Sequence, residues 1–262
     1  MAKSRIEEYR ARFSERIIRF TKYTVKKTGL VQSQTILKIE DYVLVCAPFQ
    51  LAMDRAIFLV ILSRQEHVFF QQMLKKICSV SFSFMRPGQS HPIHFFIRGI
   101  VNRISPVKGR PNVCIIDVTY KICPDDLVEI LGHYITAYDS LKSLVKDLKG
   151  REVPMGAEAK RIMKFNDYVE SIIGSRKVKT RLLSIGVDRL VLGIPESITG
   201  LSERNTFASK LYFRSYQFRV NGMVVRMERP QNGYRRILYA IEFSPELVEI
   251  LDNYFLMATL KK

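Results

Sequence analysis

The sequence has 262 residues, which is long enough for two domains, since one domain typically takes about 100–200 residues. Hydrophobic residues make up 47% and charged residues 26%, a composition that excludes a wholly disordered or fibrous chain. Lys and Arg total 42 against 25 Asp and Glu, which gives a formal net charge of +17. This excess favours anionic partners such as nucleic acid, nucleotides or an acidic membrane surface.

The beginning of the sequence and its cysteines predict a cytoplasmic protein. The first residues lack the apolar core of a signal peptide, and the longest apolar run, residues 56–62, is too short to cross a bilayer. No Cys-x-x-Cys pair is present among the four cysteines. In a reducing compartment they are expected to be small buried hydrophobic residues, rather than a zinc site or a disulfide framework.

The first half of the chain predicts a basic N-terminal helix, then strands and two further helices. Apolar residues at three- and four-residue steps predict a helix over residues 4–28, with Gly29 as its C-cap. Short β-rich runs separated by turn residues predict strands. They cover residues 35–39, 42–46, 56–62, 79–85, 93–104 and 112–120. Helices are predicted over residues 65–77 and 124–149.

The second half predicts a similar arrangement after a linker at residues 149–154, so the expected domains are residues 1–150 and 151–262. Six further β-rich runs follow. They cover residues 168–173, 177–185, 189–193, 208–213, 217–227 and 236–243. Ser244 and Pro245 predict the N-cap and first turn of a final helix. We expect a mostly β fold with flanking helices (α+β), in which two similar small antiparallel barrels are each closed by a helix.

An internal repeat supports that duplication. Gly99 and Gly222 are each followed by Ile or Met, then Val, any residue, Arg, and Ile or Met. The pentapeptide Leu-Val-Glu-Ile-Leu then occurs at residues 127–131 and again at 247–251. Asn-Gly at Gly222 normally indicates a hairpin turn, but the first copy has Arg-Gly. The repeat therefore favours one long strand with a kink or bulge at each glycine.

Motifs of the common enzyme classes are absent from the sequence. It contains no Gly-rich phosphate loop, no His-Glu-x-x-His and no Gly-x-Ser-x-Gly. His91 and His94 have no Cys or carboxylate beside them, and adjacent Asp125 and Asp126 diverge on a helix. We therefore expect no catalysis, no metal site and no resident cofactor.

One pattern in the second half points to a known family. A kinked Gly-x-Val-Val strand is followed by Ile-Glu-Phe and a terminal helix. The residues are Gly222, Val224, Val225, Ile241, Glu242, Phe243 and the helix from Ser244. This half resembles the PilZ domain, and the first half resembles the PilZ-like domains that precede PilZ in two-domain proteins of the spirochaete type. The resemblance implies β-barrels and cyclic di-GMP as a regulatory ligand.

The resemblance also implies two ligand motifs, Arg-x-x-x-Arg before the barrel and Asp/Asn-x-Ser-x-x-Gly at an early strand. The matching positions are Lys160, Arg161 and Lys164 for the first motif, and Asp188, Leu190 and Gly193 for the second. Lysine neutralises a phosphate but does not reproduce the planar guanidinium fork. Leu190 adds bulk where the family has serine. The motif is thus degenerate, and the expected site holds cyclic di-GMP between residues 160–164 and a turn at 188–193.

A basic segment gives an alternative site. It contains Arg176, Lys177, Lys179 and Arg181. On a strand, the last three would share one face. With Arg229, Arg235 and Arg236 they would form either a solvated surface or a phosphate-binding one.

Three functions therefore stay open at this point. The first is a receptor that binds cyclic di-GMP and relays it by domain rearrangement. The second is a degenerate PilZ scaffold that binds nucleic acid through its charge. The third is a protein–protein adaptor that uses the basic N-terminal helix.

Overall fold

The structure, a computed structural model, describes residues 2–214 and 216–260. The chain divides into two units between Ala137 and Tyr138, whereas the sequence places the boundary at Gly150. Each unit is built on one antiparallel sheet with its own hydrophobic core, so the predicted mostly β fold with flanking helices is confirmed. Among the described residues, no helix combines the length and apolar character needed to span a membrane.

The first unit contains an eight-stranded sheet in the order β1-β4-β5-β8-β7-β6-β2-β3. Its strands are β1 (Ile18–Arg19), β2 (Ile36–Ile39), β3 (Tyr42–Val45), β4 (Ala47–Leu51), β5 (Arg55–Ile61), β6 (Ile77–Phe84), β7 (Ile93–Pro106) and β8 (Val113–Tyr120). The helices are α1 (Ala2–Phe13), α2 (Lys22–Thr28), α3 (Arg64–Phe70) and α4 (Asp125–Leu148), with short 3-10 turns at Gln32–Gln34 and Gln71–Met73. The boundary between the units lies within α4.

The predicted single helix over residues 4–28 is wrong, because the chain forms two helices with a strand between them. α1 ends at Phe13, and β1 then pairs with β4. Ile18 is buried in this pairing, so the long-range contact outweighs the local helical periodicity. The side chain of Thr21 caps α2, and Gly29 ends it with a left-handed φ of 74°, as predicted.

The second unit contains a closed six-stranded barrel. Its strands run in the order β10-β13-β14-β15-β12-β11, and β11 pairs again with β10. They are β10 (Phe165–Ile173), β11 (Arg176–Gly186), β12 (Arg189–Pro195), β13 (Thr206–Phe213), β14 (Tyr216–Met227) and β15 (Tyr234–Ile241). The remaining elements are β9 (Glu152–Pro154), α5 (Ala157–Met163) and α6 (Pro245–Thr259). Part of the predicted linker is therefore strand β9, which pairs with β11.

Strand registers confirm the predicted repeat and its bulges. In the first unit Gly99 pairs with Tyr120, and the β7–β8 register shifts between Val101 and Arg103. In the second unit Gly222 pairs with Ile241, and the β14–β15 register shifts at the same distance, between Val224 and Arg226. Both glycines thus lie in long strands followed by a bulge, and neither forms a hairpin turn.

Close backbone approach explains why both positions are glycine. A Cβ atom on Gly222 would lie 2.1 Å from the carbonyl oxygen of Ala240. A Cβ atom on Gly99 would lie 2.5 Å from Cγ1 of Val118 and 2.8 Å from the carbonyl oxygen of Thr119. Neither strand pair can accommodate a side chain there without moving.

The repeated pentapeptide occupies the same kind of environment in both helices. The fully buried residues are Leu127, Val128 and Leu131 in α4, and Leu247, Val248 and Leu251 in α6. Ser244 caps α6 and Pro245 stands in its first turn, as predicted. Each unit therefore packs the same apolar helix face against its own core.

The two sheets differ in one strand. In the second unit, β11 runs unbroken and pairs with β10 through its first part and with β12 and β9 through its last part. In the first unit two strands take the place of β11. β3 pairs with β2, and β4 pairs with β5 and β1. Cys46 alone separates β3 from β4. The first unit thus follows the barrel path with one interrupted strand.

The four cysteines are free and buried, as the sequence predicts. Burial raises the pKa of the Cys46 and Cys123 thiols to about 12. These thiols are therefore protonated and chemically quiet at neutral pH.

Candidate functional site

Asp188 lies in the turn before β12 and forms an ion pair with the residue that follows it. Arg189 donates from Nε to one carboxylate oxygen of Asp188 at 3.1 Å, and from Nη2 to the other at 2.8 Å. Chiefly through these hydrogen bonds, the pKa of the Asp188 carboxyl is lowered, and the charge of Lys149 adds to the effect. The carboxylate is thus engaged by neighbouring cations of its own unit.

The same dipeptide stands at the equivalent turn of the first unit. The main-chain oxygen of Asp54 accepts from the amide of Tyr120 at 2.7 Å, as that of Asp188 does from Ile241 at 3.0 Å. Arg55 Nε lies 3.8 Å from Oδ1 of Asp54. The Asp-Arg pair is thus part of the repeat. The two Asp-Arg dipeptides in the sequence could have indicated this equivalence.

The predicted strand over residues 189–193 is confirmed as part of β12, which begins at Arg189, so the expected turn at residues 188–193 is wrong beyond Asp188. Leu190 is 0% exposed and pairs with Ile185 and Tyr239. Its side chain belongs to the barrel core and has no access to a ligand on the outer surface. Leucine at the serine position of the motif is explained by this burial.

Gly193 lies on the outer face of β12, between two arginines on the neighbouring strands. It pairs with Arg181 of β11 and with Arg236 of β15. A Cβ atom on Gly193 would lie 3.5 Å from Cβ of Arg181 and 3.8 Å from both Leu183 Cδ1 and Tyr234 Cδ1. These are ordinary contacts, so the backbone does not require glycine here. Gly193 itself is buried among the side chains of Arg181, Leu183 and Tyr234. We call the position without a side chain, together with these neighbours, the Gly193 recess.

The walls of the Gly193 recess are cationic and aromatic. The guanidinium carbon of Arg181 lies 4.0 Å from the ring centre of Tyr234. Arg236 is exposed, and its Nε lies 3.9 Å from Oε1 of Glu228. The equivalent position in the first unit is Leu59, which pairs with Ala47 as Gly193 pairs with Arg181. Sequence reasoning missed Tyr234, because only the strand pairing brings it to the recess.

The first motif lies on α5 and the residue after it. Lys160 Nζ contacts Oδ1 of Asp167 at 2.8 Å, and Arg161 is exposed. Lys164 has a left-handed φ of 54°, and its carbonyl accepts from the amide of Arg214 at 2.8 Å. The three cations thus share one short segment, within which the charge of Lys160 is already paired.

The segment that carries these cations starts close to the Gly193 recess. The amide of Met155 donates to the carbonyl of Leu183 at 2.9 Å, and Leu183 borders the recess. Gly156 and α5 follow directly. This hydrogen bond thus brings Met155, five residues before Lys160, close to a residue that borders Gly193.

The predicted shared face of the basic strand is confirmed for Lys177, Lys179 and Arg181, which alternate with buried residues along β11. Arg176 stands at the hairpin end, opposite Ile173. Arg236 joins Arg181 at the recess. The prediction is wrong for Arg235, which pairs with the buried Ile194 and so lies on the opposite face. Arg229 is exposed in the loop after β14.

The basic N-terminal helix uses part of its charge inside its own unit. Arg5 pairs with Glu129 at 3.3 Å. Arg10 donates to Asp125 at 2.8 Å and to the carbonyl of Cys123 at 2.6 Å. These contacts fix α1 against the start of α4, so its charge is less available to a protein partner than the sequence suggests.

Comparison with known proteins identifies the family of the first unit. The family model described as the PilZN3 domain matches residues 4–138. No curated protein matches the chain.

Solved structures give weaker similarities. The PlzA protein of Borreliella burgdorferi in complex with c-di-GMP is 11% identical, covers 97% of this chain and 100% of its own, and has a TM-score of 0.48. YcgR from Escherichia coli in complex with c-di-GMP is 9% identical, with coverages of 91% and 88% and a TM-score of 0.30. The K. pneumonia MrkH–c-di-GMP complex is 10% identical, with coverages of 94% and 99% and a TM-score of 0.34. The family assignment depends on the domain match alone.

Proposed function

Because the chain belongs to the PilZN3 domain family, we propose that it is a cytoplasmic PilZ-type effector that binds cyclic di-GMP and acts without catalysis. The second unit has the barrel and terminal helix that the PilZ resemblance implies. Cyclic di-GMP carries two phosphates and two guanine bases. A site for it needs cations beside a flat surface, and arginine suits both phosphates and base edges.

The observation that carries this proposal is the Gly193 recess. In it the buried Gly193 lies among Arg181, Arg236 and the ring of Tyr234. In the proposed complex the guanidinium groups bind phosphate or guanine, and a base packs over the recess. The first unit has Leu59 at the floor position and Ala47 in place of Arg181, so the same scaffold lacks these features there.

The segment at residues 160–164 supplies the second part of the proposed site. Arg161 and Lys164 are exposed, and they follow six and nine residues after Met155, which hydrogen-bonds to Leu183 at the edge of the recess. In this proposal their charges bind the phosphates from the opposite side. Asp188 has a structural role through Arg189, and Leu190 has no contact with the ligand.

Isothermal titration with cyclic di-GMP tests the charged part of the site. The double variant Arg161→Glu/Lys164→Glu should lower affinity by more than tenfold, about 1.4 kcal/mol, since one charge-assisted hydrogen bond contributes roughly 1.5–3 kcal/mol. The matched control Lys108→Glu/Arg110→Glu changes two exposed cations of the first unit and should bind as wild type does. Unchanged affinity in the first variant would remove this segment from the site.

Gly193→Leu tests the recess itself. The leucine side chain would fill the floor, so affinity for cyclic di-GMP should fall at least tenfold. The fold should tolerate the change, because Leu59 occupies the equivalent position and the Arg181 and Tyr234 side chains that the leucine displaces lie on the outer face. A variant with an unaltered melting temperature and full ligand affinity would exclude the recess as the binding site.

The relay step in this proposal is a ligand-dependent rearrangement of the two units. Small-angle scattering of the full chain with and without saturating cyclic di-GMP measures it directly. A change in radius of gyration is expected for wild type and not for Gly193→Leu. Identical profiles for liganded wild type and the free protein would contradict the relay.

A further inference from the structure

A row of charged side chains crosses the outer face of the second barrel. Arg219 pairs with Lys210, Lys210 with Glu170, and Glu170 with Lys179, on the four adjacent strands β14, β13, β10 and β11. Neighbouring strands lie about 4.8 Å apart, so the row spans roughly 14 Å. Lys177 follows on β11, where its Nζ lies 3.8 Å from Glu170. The row thus presents cations on both sides of one carboxylate.

Two tyrosines lie beside this row on the same face. The ring centres of Tyr168 and Tyr212 are 4.8 Å apart. Lys179 Nζ lies 5.5 Å from the Tyr168 ring centre, and Lys210 Nζ lies 4.9 Å from that of Tyr212. We call these two tyrosines with Lys177, Lys179 and Lys210 the Tyr-Lys face. It combines two aromatic rings with a lysine ammonium group over each of them.

The first unit shows that the fold does not require cations at these positions. The registers place Val43 and Val45 where the second unit has Lys177 and Lys179. Both valines are highly exposed, at 58% and 68%. A sheet that follows the same strand path is therefore compatible with apolar residues at these positions. The charge of the Tyr-Lys face belongs to this unit and points to a ligand of its own.

We propose that the Tyr-Lys face binds single-stranded nucleic acid. In the complex Lys179 and Lys210 turn from the rings to the phosphates, which Lys177 also contacts, and unpaired bases take their place on Tyr168 and Tyr212. A single strand fits better than a duplex, because paired bases do not offer their faces to a tyrosine ring. Phosphate contacts and stacking are both tolerant of base sequence, so recognition is general. This function is separate from the Gly193 recess on β12 and β15.

A salt series by fluorescence anisotropy tests the phosphate contacts. The probe is a labelled mixed-sequence DNA strand of about 20 nucleotides. The triple variant Lys177→Ala/Lys179→Ala/Lys210→Ala should flatten the dependence of log affinity on log salt by about two units, since each single-strand phosphate contact contributes roughly 0.7. The control Lys108→Ala/Arg110→Ala/Lys121→Ala removes three exposed cations of the first unit and should keep the wild-type slope. Equal slopes for both triple variants would overturn the proposal.

The variant Tyr168→Leu/Tyr212→Leu tests stacking. It should weaken single-strand binding by about tenfold or more at fixed salt and leave the salt slope unchanged, because no cation is removed. Equal affinity of wild type for the strand and its duplex, with no effect of the leucines, would overturn the single-strand assignment. Gly193→Leu should bind the strand as wild type does, so failure of the cyclic di-GMP proposal and failure of this one are distinguishable. Circular dichroism checks that each variant is folded.

Discussion

The two units place nearly the same strand registers beneath different outer surfaces. Where the first unit has Val43, Val45 and Leu59, the second has Lys177, Lys179 and Gly193. The buried face of the closing helix, in contrast, is identical in both. Packing constrains the interior at each position, whereas the outer face of a strand is free to vary. The functional differences between the units are therefore to be sought on the outer strand faces.

The strongest test of this comparison removes one equivalent core side chain from each unit. Leu127→Ala and Leu247→Ala should each lower the free energy of unfolding by about 2–5 kcal/mol, because both leucines are fully buried. Urea denaturation followed by circular dichroism measures the effect. Leu256→Ala, at an exposed position of α6, is the control and should cost much less. A large loss in one unit alone would break the equivalence of the closing helices.

The glycines give the next largest effect and separate a structural glycine from a functional one. Gly222→Ala should destabilise the protein by about 1–3 kcal/mol or more, because its Cβ would meet the Ala240 carbonyl at 2.1 Å. Gly193→Ala should change stability by about 0.5 kcal/mol or less, since the same atom has room. Thermal unfolding compares the two. Equal destabilisation by both changes would mean that the recess is a packing requirement.

The smallest expected effect concerns the Asp-Arg turn. The folded-state pKa of Asp188 is lowered, so its ion pair stabilises the fold above the ordinary carboxyl pKa and loses this contribution as pH falls through the lowered value. Asp188→Asn should lower the free energy of unfolding by less than about 1 kcal/mol at pH 7. At pH values below the lowered pKa it should leave that free energy unchanged. Asp54→Asn should cost less still, because its ion pair is 3.8 Å long and more exposed. Denaturation of wild type and Asp188→Asn across the acid range measures the difference between their free energies of unfolding. A difference that grew as pH fell would contradict this expectation.

Much of the fold could be predicted from the sequence because it depends on local patterns. The repeat correctly predicts that Gly99 and Gly222 lie in long strands, and the apolar stripes correctly predict the closing helices. The break between α1 and α2 could not be predicted, because it depends on the strand pairing of Ile18 with Leu51. That contact joins positions far apart in the chain, and periodicity does not report it.

The site was predictable only in part, for the same reason. Gly193 was identified through the PilZ motif, but its neighbours Arg236 and Tyr234 come from β15, whose register is a property of the folded sheet. The motif predicts Leu190 as a site residue because a motif specifies a position in the sequence and not the direction of a side chain. The burial of Leu190 in the barrel core decides that question.

The identical pentapeptides of α4 and α6 have a consequence for how the chain reaches its native state. Each helix presents the same leucines and valine, so we expect each to be able to dock transiently on the sheet of the other unit during folding. Chains that contain similar units are prone to such misassembly. The wrong pairing must be undone before the native one forms, so refolding from denaturant should include a slow phase that reports helix exchange. We therefore expect the repeated pentapeptide to lower the rate of refolding.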